Sequence, residues 1–138
     1  MMKKSSWSIY LLLILLVGLG SCDDDPYDER AGEDATYALC SATWTDYFVT
    51  SDGLDCEQQL RFYPNGEGQD YRIYYYPNGR EQSENIPFYW EWDPGSYYFD
   101  ALSMDYPNGD RTWLEEIWIS GGRMECLYNG EQVSFRAY

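Results

Sequence analysis

Tyr-Pro-Asn-Gly occurs three times, at residues 63–66, 76–79 and 106–109, and a chain punctuated in this way must keep reversing direction. Proline presets φ at the first corner, Asn tolerates the second, and Gly takes the left-handed position. That chemistry fits a type I turn closed by a Gly bulge, or an Asn-Gly type I′ turn. Further turn signals lie at Ser51-Asp52-Gly53, Asp93-Pro94-Gly95-Ser96, Gly121-Gly122 and Asn129-Gly130. The turns leave eight segments rich in Tyr, Trp, Phe, Ile or Val, which predict strands at 43–50, 56–63, 68–76, 84–93, 97–106, 111–120, 123–128 and 131–138. No helical stripe is evident after the apolar N-terminal run.

Within the segments the period is two. Phe88, Trp90 and Trp92 alternate with Tyr89, Glu91 and Asp93; Leu60 and Phe62 with Gln59, Arg61 and Tyr63; Val133 and Phe135 with Ser134 and Arg136. Trp113, Ile117 and Ile119 are expected on one face of their strand, with Glu116 and Ser120 opposite. One apolar face per strand, joined by tight turns, describes an antiparallel meander. The expected fold is therefore all-β: a small eight-stranded antiparallel up-and-down barrel, closed because closure removes sticky edges. A two-sheet β-sandwich is the alternative.

Charge excludes whole classes of function. From residue 22 onward the chain holds 7 arginines, no lysine and all 24 acids, a net charge of −17. Such a surface repels phosphate backbones, so no nucleic-acid partner is expected. The chain contains no histidine, which removes the usual general base and the commonest zinc ligand. Glu115 and Glu116, adjacent on a predicted strand, should point to opposite faces and so cannot act as a pair. Phosphate-binding glycine loops, Gly-x-Ser-x-Gly and Cys-x-x-Cys spacings are all missing from the sequence. A non-enzyme without metal or cofactor is expected.

The N-terminus carries an address. Lys3 and Lys4 precede an apolar run from Ile9 to Leu19 that is too short to span a bilayer needing ~20 residues. It ends in Leu19-Gly20-Ser21-Cys22, which resembles the lipobox of bacterial lipoproteins. The resemblance implies cleavage before Cys22 and lasting attachment through several palmitate-type acyl chains on that residue. Asp23, Asp24 and Asp25 follow, and a Ser-Cys-Asp-Asp-Asp start resembles the surface-export signal of Bacteroidetes lipoproteins. The expected location is the outer membrane, lipid-anchored and facing the extracellular side. Residues 1–21 are then the signal peptide, 22–36 a lipidated acidic tether, and 37–138 the folded domain, expected to be a monomer.

The line Leu39…Trp44, Leu60-x-Phe62-x-x-Asn65-Gly66-x-Gly68, Ile86-x-Phe88-x-Trp90, Leu102-x-Met104-x-Tyr106 and Ile117-x-Ile119-Ser120-Gly121 resembles the lipocalin-like domains of Bacteroidetes lipoproteins. The resemblance implies a barrel with a short segment plugging one end. It also implies an interior that binds a small apolar or amphipathic ligand; from the shared-face pattern, Trp44, Phe88, Trp90 and Trp113 would line such a cavity. The bland reading is that these aromatics simply fill the barrel. An outward row of tyrosines on the third strand, joined by Tyr89, Tyr98 and Trp118 or Trp113, offers the alternative of glycan or protein recognition.

With Cys22 lipidated, three cysteines remain. A regular first hairpin puts Cys40 and Cys56 at opposite ends, beyond the ~7 Å reach of a disulfide. Cys40–Cys126 is the expected bridge, with Cys56–Cys126 or three free thiols as alternatives.

Overall fold

A computed structural model describes residues 29–138. In it the three Tyr-Pro-Asn-Gly turns adopt one geometry. In each the Gly N–H donates to the Tyr carbonyl, at 3.0–3.1 Å, and the Tyr N–H donates to the carbonyl of the residue directly after the glycine: Tyr63 to Glu67, Tyr76 to Arg80 and Tyr106 to Asp110, all at 2.9 Å. The Asn side-chain oxygen accepts the N–H two residues on. Only the glycines of these turns have positive φ, at 82–90°, so they are type I turns closed by a Gly bulge. Asn129-Gly130 and Gly121-Gly122 have positive φ at both residues, as type I′ requires.

These turns join eight strands: β1 (Thr43–Val49), β2 (Asp55–Phe62), β3 (Glu67–Tyr75), β4 (Glu81–Trp92), β5 (Leu102–Asp105), β6 (Arg111–Ser120), β7 (Arg123–Tyr128) and β8 (Glu131–Ala137). Each pairs antiparallel with its sequence neighbour, and β8 returns to β1, giving a closed eight-stranded, lipocalin-like barrel. The sandwich alternative is ruled out by that closure. The fifth strand is much shorter than its predicted 97–106: residues 93–101 form turns, with Phe99 at φ 51°.

A helix, α1 (Glu29–Cys40), precedes the barrel. Two expectations are corrected here: the acidic tether does not extend to residue 36, and a helix follows the apolar N-terminal run after all. The inward positions Gly32, Ala35, Thr36, Leu39 and Cys40 have helical spacing, but most are small or weakly apolar, so the stripe is faint in sequence. Leu39 is fully buried, and Trp44 Nε1 donates to the Leu39 carbonyl at 2.8 Å, satisfying one of the orphan carbonyls at the helix end. Thus α1 plugs the barrel end that carries the β2–β3, β4–β5 and β6–β7 turns. Among the described residues no helix is long and apolar enough to cross a membrane.

The half of the barrel next to α1 is filled solid. Trp44, Leu60, Phe62, Phe88, Trp90, Leu102, Met104, Leu114, Met124 and Phe135 are all buried. Phe62 packs edge-on against Phe88 and Trp90, with ring centroids 5.4 and 5.8 Å apart, the arrangement that ring quadrupoles favour. Gly68 makes room for this cluster, since a Cβ there would lie 2.2 Å from the Phe88 ring. The core draws on residues of both α1 and the barrel, so the helix and the strands belong to one folding unit.

One face assignment is overturned. In β6, Leu114 pairs with Tyr128 and Glu115 with Leu127, but Trp118 then pairs with Glu125. Glu116 and Ile117 together oppose Cys126, and Glu116 has φ 51°. This β-bulge reverses the alternation. Thr112 and Leu114 point inward before it, and Ile117 and Ile119 after it, while Trp113 lies on the outside at 38% exposure. Trp113 therefore shares no face with Ile117 and Ile119, and Glu115 and Glu116 are both exposed rather than split between faces.

Candidate ligand-binding site

Above the packed half, the inward positions change character. Strand alternation sends Gln58 from β2 and Asp70 and Arg72 from β3 into the barrel, where Tyr106 and Tyr128 meet them. Asp70 is fully buried. Its carboxylate accepts from Arg72 Nε at 3.1 Å and Nη2 at 2.9 Å, from Gln58 Nε2 at 3.1 and 3.2 Å, and from the Tyr106 hydroxyl at 2.8 Å. Burial works to lower the Arg72 pKa, but the hydrogen bond and charge of Asp70 more than offset it and hold the guanidinium above its ordinary range. Burial and then the Asp70 charge push the Tyr106 phenol far up, which keeps it a donor. Asp70 so engaged neutralises Arg72 and has no lone pair directed at solvent.

A cavity of about 360 Å³ lies beside this cluster, lined by Asp46, Phe48, Val49, Gln58, Arg72, Tyr128, Glu131, Val133 and Phe135. Its origin is a partly open seam. Thr43 and Tyr138 exchange backbone hydrogen bonds, and the β1–β8 ladder continues only through Trp44–Ala137 and Thr45–Arg136. Antiparallel alternation would next join Tyr47 to Ser134 and Val49 to Gln132. Neither pair is in the ladder, and Tyr47 N–H donates instead to Asp46 Oδ1 at 2.8 Å. The strands splay there, and the cavity opens between them. Its volume falls within the range of small-molecule sites, and it combines an apolar wall with a few convergent polar groups.

A wider groove of about 860 Å³ runs between α1 and the β4–β5 connection, with Trp92 and Phe99 on one side and Thr36 and Tyr37 on the other. It is shallower and more open than the seam cavity. Trp92 Nε1 there donates to Thr36 Oγ1 at 2.9 Å, so the groove's largest polar-tipped side chain already ties the helix to the barrel.

None of the four residues expected to line a cavity does so at the seam. Trp44, Phe88 and Trp90 come together, but as packed core; Trp90 Nε1 donates to the Tyr63 and Glu67 carbonyls and locks the first Tyr-Pro-Asn-Gly turn. Trp113 lies outside, its ring 5.7 Å from the Arg111 guanidinium. The site is built instead from Asp46, Gln58, Asp70, Arg72 and Tyr128, none of them among the residues expected from the sequence. Their signal was legible: Gln58, Asp70 and Arg72 share the inward parity of Leu60, Phe62 and Gly68, and a polar residue at such a position demands an internal partner.

The expected Cys40–Cys126 bridge does not form; Cys40, Cys56 and Cys126 are all free thiols. Cys40 sits on α1 at the plugged end, whereas Cys126 projects inward from the middle of β7, beyond Met124. Burial, with a smaller contribution from Asp46, raises the Cys126 pKa to about 12. Among the described residues no group of three or more Cys, Asp or Glu is placed to hold a metal ion. Cys22 and Asp23, Asp24 and Asp25 lie outside the described residues. Of the expected outward aromatics, Tyr89, Tyr98 and Trp118 are 67, 86 and 68% exposed.

Comparison with protein families, curated proteins and solved structures finds no match to this chain, so its functional reading rests on its own residues.

Proposed function

We propose that this chain is a non-catalytic binding module that takes a small amphipathic molecule into the seam cavity between β1 and β8. The observation that carries this reading is the coincidence of an unfinished β1–β8 ladder with a 360 Å³ cavity directly behind it. Phe48, Val49, Val133 and Phe135 supply an apolar wall, and Gln58, Arg72 and Tyr128 a polar floor that fixes orientation. The lipobox-like Leu19–Cys22 and the acids after it support a further part of the proposal: a Bacteroidetes-type lipoprotein held at the outer membrane through Cys22 and facing outward. A second reading, recognition of glycan or protein on the outer face, rests on exposed Tyr89, Tyr98 and Trp118.

The test is titration of residues 29–138 with N-phenylnaphthylamine, a neutral apolar fluorophore. The expected result is saturable one-to-one binding, lost when Val133→Trp fills the cavity while the circular dichroism spectrum is retained. Absence of binding, or binding indifferent to Val133→Trp, would overturn the proposal.

A further inference from the structure

We infer that the seam cavity selects a ligand carrying a positive charge, an organic amine with an apolar body; this rests on the cavity being the binding site. Three features of its wall point the same way. Among the described residues Arg72 is the one cation lining it, and its charge is already matched by Asp70 through the bidentate contact. Asp46 and Glu131 also line it, and among the described residues no cation forms an ion pair with either. The site therefore carries two uncompensated carboxylates beside an aromatic and aliphatic wall.

The second feature is the backbone. Tyr47 and Val49 direct their main-chain groups toward β8 without ladder partners there. The Tyr47 N–H is taken by Asp46, so its carbonyl remains as an acceptor. The N–H groups of Val49, Ser134 and Gln132 face the same opening, so the main chain there offers three donors and four carbonyl acceptors; an ammonium group, which supplies donors and no acceptor, is met by the carbonyls. The third feature is desolvation: burial pushes the Asp46 pKa up, against the opposing effect of the Tyr47 N–H. A partly buried carboxylate in that state gains more from an arriving cation than a fully hydrated one does.

The experiment compares three probes of similar bulk on residues 29–138: dansylcadaverine, a cation; N-phenylnaphthylamine, neutral; and anilinonaphthalene sulfonate, an anion. Titrations at about 0.3 M salt reduce the screening length to roughly 5–6 Å, which suppresses attraction to the acidic surface at large. The cation is expected to bind at least about tenfold more tightly than the anion, in line with close charge pairs in desolvated sites. Asp46→Asn with Glu131→Gln should remove that preference, whereas Glu67→Gln with Asp110→Asn, neither of which lines the cavity, should preserve it. Equal binding of all three probes, preference for the anion, or a cation preference that survives loss of Asp46 and Glu131 overturns the inference and leaves the cavity reading standing. Failure of every probe to bind overturns both.

Discussion

The Tyr106 hydroxyl, at the start of the third Tyr-Pro-Asn-Gly turn, donates a 2.8 Å hydrogen bond to the fully buried carboxylate of Asp70 on β3. A turn residue and an interior residue are thereby joined across β4, at the level where the apolar filling gives way to polar groups. Removing the acceptor leaves a half-buried guanidinium without its counter-charge. Asp70→Ala is expected to cost about 3–5 kcal/mol in urea denaturation, and Tyr106→Phe about 1.5–3 kcal/mol, as for a bond to a charged group. A cost below about 1 kcal/mol for Asp70→Ala would mean that the cluster is solvated rather than buried.

The bulge at Glu116 makes opposite predictions for two tryptophans that look alike in sequence. Trp90→Ala empties part of the packed half and should cost about 3–5 kcal/mol. Trp113→Ala loses mainly an exposed contact with Arg111 and should cost about 1 kcal/mol or less. Equal losses for the two variants in parallel denaturation curves would place Trp113 inside and contradict the bulge.

Asp46 makes stability depend on pH. Its pKa is raised on folding, mainly by burial, so the folded state binds the proton more tightly than the unfolded chain does. The carboxylate therefore lowers stability at pH values above its folded pKa, and that penalty fades as pH falls through the folded pKa toward the ordinary Asp range. Asp46→Asn keeps an oxygen for the Tyr47 N–H. It is expected to raise the melting temperature at pH 7 and to leave it nearly unchanged at about pH 3. An equal gain at both pH values would show that charge is not the cause.

The thiols provide a check on covalent structure. Burial raises the pKa of Cys40, Cys56 and Cys126 alike, that of Cys126 to about 12. At pH 8 iodoacetamide should modify native residues 29–138 slowly, at Cys40 first, because Cys56 and Cys126 are buried. In denaturant without reductant, mass spectrometry should find all three alkylated. Only one alkylated thiol would reveal a disulfide.

Much of the barrel is legible in the sequence because its determinants are local. Turn residues fix each reversal, and period-two alternation in Leu60–Phe62 and Phe88–Trp92 fixes which face is buried. Two features were not legible, each for a physical reason. The helix α1 buries its stripe largely through small residues such as Gly32 and Ala35, which carry little periodic signal. The bulge turns on one backbone angle at Glu116, a residue whose side chain advertises nothing. The site suffers from both kinds of gap: Asp70 and Arg72 are readable as inward polar residues, but their cavity depends on where the β1–β8 ladder stops. That is a property of closure between the two ends of the chain.

The account's central claim is that an open seam admits a small molecule into the barrel, and a high-resolution crystal structure of residues 29–138 grown with N-phenylnaphthylamine tests it most directly. The predicted result is probe density against Phe48, Val133 and Phe135, with Tyr47 and Ser134 left unpaired across the seam. A ladder zipped through Tyr47–Ser134 and Val49–Gln132, with side chains filling the space behind it, would contradict the claim.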